Sequence, residues 1–221
     1  MDKGGGILNG QRIMILEFGT AAMFILMILR RKHYPQIGIW KMFAVSVLLT
    51  VSGVAGAMLM HFIESGSFSG TSFFGSVLFI PVFMTPVMLM RIPYKIIMDL
   101  CAPSVSLMLA FMKFDCLISG CCIGKYLPSL GFQIPSQIVE MVVALIIVAV
   151  LLKIETETEY KGSLYGWYFV IYGLTRFVLN WFRYGVKPFV WILPAGNFWS
   201  IISVVSGIIW LLIIKKKNTN F

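Results

Sequence analysis

The sequence predicts an all-α integral membrane protein of seven transmembrane helices, with its N-terminus outside and its C-terminus in the cytoplasm. Three observations predict it. Of the 221 residues, 59% are hydrophobic and only 12% are charged, where a soluble domain carries roughly 25% charge. Seven apolar segments reach or approach the ~20 residues that a helix needs to cross hydrocarbon. The basic residues, which give a net charge of +9, stand in short clusters beside those segments. That is the pattern of topology determinants, not of a nucleic-acid surface, so the expected surroundings are a bilayer and no nucleic-acid partner is expected. The gaps are short, so residues 1–221 read as one membrane domain.

The predicted spans lie near 13–29, 42–63, 73–90, 96–119, 136–152, 164–182 and 197–214. Arg30, Arg31, Lys32 and Lys41 fall in the first loop, Arg91 and Lys95 in the third, Lys153 and Lys161 in the fifth, and Lys215–Lys217 after the last span. With seven spans all of these lie on one side, which the positive-inside rule makes cytoplasmic. The opening MDKGGGILNGQR lacks the ordered parts of a signal peptide, so the first span is expected to direct insertion. Span one carries Glu17, whose carboxylate is costly in lipid and is expected to pair with a basic residue of another span. In span two His61 and Glu64 stand three apart and can meet on one face, either as a general base with its acid or as an interfacial polar pair. Span three opens GTSFFGS, and Pro81 and Pro86 are expected to kink it. Span four opens DLCAP.

The outer end of span four is the densest stretch of chemistry. Lys113 to Lys125 holds Lys113, Asp115, Cys116, Ser119, Gly120, Cys121, Cys122 and Gly124. Small, polar and thiol-bearing residues at that depth are costly unless they face the interior or a cavity; close packing of glycines and buried cysteines is the alternative. Four cysteines without CxxC spacing do not read as a zinc site, and neither metal nor cofactor is expected. The adjacent Cys121 and Cys122 suit no ordinary disulfide with each other; Cys116 with either remains open. In span six Arg176, Asn180 and Arg183 are spaced by four and three and share a face. Arginine is suited to bidentate phosphate recognition. Turned inward opposite Lys113, this face would form an outward-opening pocket for an anion. Snorkelling to the interface suits Arg183 but not the deeper Arg176.

These residues, in order, resemble the bacterial prolipoprotein diacylglyceryl transferase family. The resemblance runs through Phe18–Gly19, SFFGS (72–76), DLCAP (99–103), Lys113–Lys125, IPSQIVE (134–140), YGLTRFVLNWFR (172–183) and GNFWS (196–200). It implies a reaction in which the diacylglyceryl group of phosphatidylglycerol passes to the lipobox cysteine of a lipoprotein precursor, with glycerol 1-phosphate leaving, in the cytoplasmic membrane of a bacterium. Arg176, Arg183, Gly120, Gly124, Gln137 and Glu140 match the family pattern. Phe74 stands where the family has His, Lys113 for Arg, Cys116 and Ser119 for two Asn, Cys121 for Glu, Phe18 for Tyr and Asn180 for a second Glu. The substrate-binding set implied is Lys113, Cys116, Ser119, Gly120, Gly124, Arg176, Asn180 and Arg183, with phosphatidylglycerol or another anionic phospholipid as partner. Asp115 and the His61/Glu64 pair are the available bases. In a paralogue with a different acceptor, Cys121 or Cys122 would act as nucleophile. The non-enzymatic alternative is a phospholipid-binding membrane protein that kept the fold and lost the chemistry.

Overall fold

The computed structural model describes residues 10–68, 70–127, 131–158, 161–183, 188–190 and 193–219. The predicted loops after spans two, four and six lie partly outside them, as do the first nine residues. The chain is an all-α, multi-pass membrane protein. Its helices are α1 (Gly10–Leu29), α2 (Ile39–Ser65), α3 (Phe73–Phe83), α4 (Tyr94–Ile118), α5 (Ser136–Glu157), α6 (Leu164–Asn180) and α7 (Ala195–Thr219). Five of them, α1, α2, α4, α5 and α7, are long and apolar enough to cross a membrane. Each of the seven apolar segments forms a helix. The third is split: α3 ends at Phe83 and a 3-10 helix follows over Thr85–Met90. Pro81 and Pro86 each withdraw a backbone donor, so the segment breaks where a kink was expected.

The helices alternate in direction between two ends of the bundle. At one end Gln11 of α1 reaches Ser119 just beyond α4, Glu64 of α2 meets Ser72 before α3, and Lys125 after α4 donates its amide to Phe182 after α6. Two small hairpins lie at this end. β1 (Tyr126–Leu127) pairs with β2 (Phe132–Gln133), and β3 (Pro188–Val190) with β4 (Leu193–Pro194).

The other end is fastened by a buried polar network. The Arg30 guanidinium sits 2.7 Å from the Glu155 carboxylate and also donates to the Asp99 carbonyl at 2.7 Å. The Tyr34 hydroxyl donates to Glu155 at 2.6 Å. The Asp99 carboxylate accepts the amides of Gly162 and Leu164, satisfying donors at the start of α6 that the helix leaves unpaired. Arg30, which the sequence places in the first loop, is thus a buried structural cation, 4% exposed.

Helix α4 is central: 78% of its apolar stretch is buried, against 22% in α1. Its run Cys101, Ala102, Pro103, Ser104, Ser106 and Ala110 is small enough for neighbours to close in on all sides. Helices α2 and α3 meet through backbone at Gly56 and Gly75, where a Cβ on Gly56 would lie 2.6 Å from the Gly75 carbonyl oxygen. Glu17 is exposed on the outer face of α1 and makes no ion pair among the described residues. Its expected partner from another span is absent there because its face of α1 points out of the bundle.

Candidate active site

A cavity of about 420 Å³ opens between α1, α2, α3, α4 and α6. Its inner wall is apolar, with Met23, Leu49, Ile80, Val105 and Leu109. Its outer wall is polar and holds Arg12, Lys113, Asp115, Cys116, Cys121, Cys122, Arg176 and Arg183.

Glu140 organises the polar end. Its carboxylate lies 2.5 Å from Lys113 Nζ, 2.5 Å from Arg176 Nη1 and 3.7 Å from Arg183 Nε. Three cations share one carboxylate, so the cluster is positive by two charges. Arg176 faces the bundle interior, as the spacing on α6 predicts, and is 9% exposed. Glu140 Oε1, Arg176 Nε and Asn180 Nδ2 are buried without a hydrogen-bond partner among the described residues. Burying such atoms is costly; of the three residues only Arg176 lines the cavity, where an acceptor on a ligand would satisfy its Nε. Sequence reading placed the cations but left Glu140 out of the site. The retained motif IPSQIVE was the signal that could have found it.

Asp115 is 1% exposed and held in a second pair: Arg12 Nε lies 3.1 Å from one carboxylate oxygen, and Gln11 Nε2 donates to the other at 3.2 Å. It lines the cavity as a paired carboxylate. Glu64 also lines the cavity and accepts from Ser72 Oγ at 3.1 Å. His61 is not in the cavity wall; its ring packs over Gly70. Of the pair considered as base, the carboxylate is therefore the member that faces the cavity.

The three cysteines are brought together by the end of α4. Gly120 takes a left-handed φ of +65°, the amide of Gly120 donates to Leu117, and the amide of Cys121 donates back to the carbonyl of Cys116 at 3.0 Å. This is a Schellman ending, which folds the residue after the glycine over the last turn of the helix and sets Cys121 above Cys116. Cys122 then adopts φ +59°, a conformation that costs a non-glycine residue roughly 1–3 kcal/mol. The first turn of α5 holds it there: Ser136 Oγ donates to the Cys122 carbonyl and Gln137 Nε2 to the Cys121 carbonyl, each at 2.5 Å. The sulfurs of Cys116, Cys121 and Cys122 lie within 4.8 Å of one another, and all four cysteines are free thiols. The helix ending brings these three sulfurs together without a CxxC motif. The Cys116 thiol donates to the Cys122 sulfur, and with Lys113 and Arg183 nearby it holds Cys122 below the usual thiol range despite burial.

Other predicted binding residues lie off the cavity. Gly120 and Ser119 are exposed, and Gly120 serves the helix ending. Gly124 is buried where the two outer loops cross: it bridges to Arg183, and a Cβ there would lie 2.5 Å from the Ile134 carbonyl oxygen. Asn180 is buried behind the wall, packed against Gly196, which itself lines the cavity. Phe74 lines the cavity with its ring 5.4 Å from that of Tyr172.

The profile of the prolipoprotein diacylglyceryl transferase family matches residues 13–213. The chain belongs to that family. Among curated relatives of prolipoprotein diacylglyceryl transferases, a phosphatidylglycerol–prolipoprotein diacylglyceryl transferase of Clostridium tetani (strain Massachusetts / E88) is 27% identical over 125 residues, 50% of each chain. A phosphatidylglycerol–prolipoprotein diacylglyceryl transferase 2 of Clostridium perfringens (strain 13 / Type A) is 27% identical over 134 residues, 54% of this chain and 52% of that one. The chain thus spans about half the length of the curated relatives that it matches.

Proposed function

We propose that the chain is a diacylglyceryl transferase of the bacterial cytoplasmic membrane, taking phosphatidylglycerol as donor and the cysteine thiol of a lipoprotein precursor as acceptor. The observation that carries this reading is the cavity of a family member with an apolar inner half and a polar end positive by two charges. A phosphodiester bears one negative charge and the departing glycerol 1-phosphate approaches two, so a doubly positive site stabilises the leaving group more than the bound donor. Arg176, Arg183 and Lys113 hold the phosphate. The acceptor thiolate attacks the glyceryl carbon, the C–S bond forms, and the C–O bond to phosphate breaks with its electrons left on the phosphate oxygen. The thiol proton passes to Glu64, the cavity carboxylate without an ion pair among the described residues. In the membrane, α3 with its 3-10 extension and α6 with the turn after it complete seven crossings, with the N-terminus outside.

One observation favours a second reading. Phe74, Cys121 and Asn180 replace the titratable residues of the family pattern, as a phospholipid-binding protein without chemistry would allow. Mass spectrometry of a lipobox peptide incubated with phosphatidylglycerol and the purified protein separates the two. A diacylglyceryl-modified peptide, absent with Arg176→Ala, supports the transferase. Bound phosphatidylglycerol without product supports the binder.

A further inference from the structure

The geometry points to a thiophilic metal site: we propose that Cys116, Cys121 and Cys122 bind one zinc-like divalent ion whose fourth position faces the cavity and receives the acceptor thiol. Three sulfurs already lie within 4.8 Å of one another. Zn–S bonds of about 2.3 Å in a tetrahedron set sulfurs about 3.8 Å apart, so closing on an ion takes movements of an ångström or less. All three cysteines line the cavity. Three protein ligands with an open fourth place are the pattern of a catalytic zinc, where a structural zinc takes four. The scaffold is built for it. The Schellman turn and the side chains of Ser136 and Gln137 fix the backbone of Cys121 and Cys122, holding the ligand residues through their outer contacts.

Charge supports the same assignment. A zinc ion with three thiolates carries one negative charge, and the neighbouring Lys113–Glu140–Arg176–Arg183 cluster, positive by two, offsets it while keeping a net positive charge for the phosphate. The inference rests on the transferase reading and supplies what Phe74 removes, a means of generating the nucleophile. A coordinating thiol is deprotonated on binding the metal. The acceptor S–H loses its proton to Glu64 as the S–Zn bond forms; the bound sulfur then attacks the glyceryl carbon, the C–O bond to phosphate breaks and glycerol 1-phosphate departs with the electron pair. The neutral thioether product is a poor ligand and leaves the ion, and no oxidant or reductant is consumed.

The test uses the full chain in lipid nanodiscs. Elemental analysis after zinc loading and gel filtration is expected to give about one zinc per chain. It should give at least ten-fold less in Cys116→Ser, Cys121→Ser or Cys122→Ser and no change in Cys101→Ser, whose side chain is buried in the core. To keep the test independent of how the serine variants fold, the wild-type chain is also loaded with Co(II). Tetrahedral cobalt–thiolate absorption that shifts on adding a lipobox peptide supports the site whatever the outcome of catalysis. Chelation that abolishes transfer, with recovery on adding zinc, supports its role. Full transfer in the chelated protein overturns the inference and leaves the transferase reading intact. A metal site with the cobalt shift but no transfer from phosphatidylglycerol keeps the site and overturns that reading instead. Substoichiometric zinc indifferent to the three serine variants, or a Cys116 disulfide by intact mass, overturns the site.

Discussion

Glu140 and Arg176 meet at 2.5 Å inside the bundle, both nearly inaccessible to solvent. Replacing Glu140 by Gln leaves three cations facing one another with no counter-charge. Breaking such a buried set by removing one partner costs about 3–5 kcal/mol. Glu140→Gln is expected to lower the unfolding midpoint in detergent sharply, and anionic lipid should restore part of the loss where zwitterionic lipid does not. A midpoint unchanged from wild type would show that the cluster is not the electrostatic unit described.

Glu64→Gln keeps the shape of the cavity wall and the contact with Ser72. It is expected to retain phosphatidylglycerol while transfer falls by about 10²-fold or more, the usual contribution of a positioned base. Native mass spectrometry reads the lipid and the peptide assay reads the transfer. His61→Ala, which alters a residue outside the cavity wall, should leave transfer within a few-fold of wild type.

Gln137→Ala removes the donor that reaches the Cys121 carbonyl. The loss is about 1 kcal/mol for one hydrogen bond, or up to ~3 where a buried acceptor is left unpaired. The thiol turn should loosen, so alkylation of Cys121 by a maleimide, followed by mass spectrometry, is expected to quicken while that of Cys101 does not.

Gly124→Ala places a methyl group 2.5 Å from the Ile134 carbonyl oxygen, and backbone has little room to yield. The two arms of the loop between α4 and α5 must separate, at a cost of about 1–3 kcal/mol for a clash of this kind. Limited proteolysis is expected to cut the loop after α4 faster in the variant.

Much of this molecule is legible in its sequence because hydrocarbon leaves few choices. An apolar run must become a helix, and a fixed spacing on that helix turned Arg176 and Asn180 toward the bundle interior. Other features depend on meetings between distant elements. Glu140 reads as an ordinary carboxylate near the start of α5 until Lys113 and two arginines of α6 and its end converge on it. The thiol cluster depends on a left-handed turn at Gly120 and a strained Cys122, which spacing rules do not see. The same turn explains why Gly120 and Ser119, placed in the site from their motif, stand at the surface.

The cavity lies in one half of the bundle, and the buried Arg30–Glu155 network in the other. Along α1 its wall runs from Arg12 to Met23, about 16 Å at 1.5 Å per residue. A bilayer core is ~30 Å thick, so this depth is close to that of a single leaflet. A lipid seated with its phosphate at the cations and its chains along Leu49 and Ile80 would be drawn from one leaflet alone and handled there.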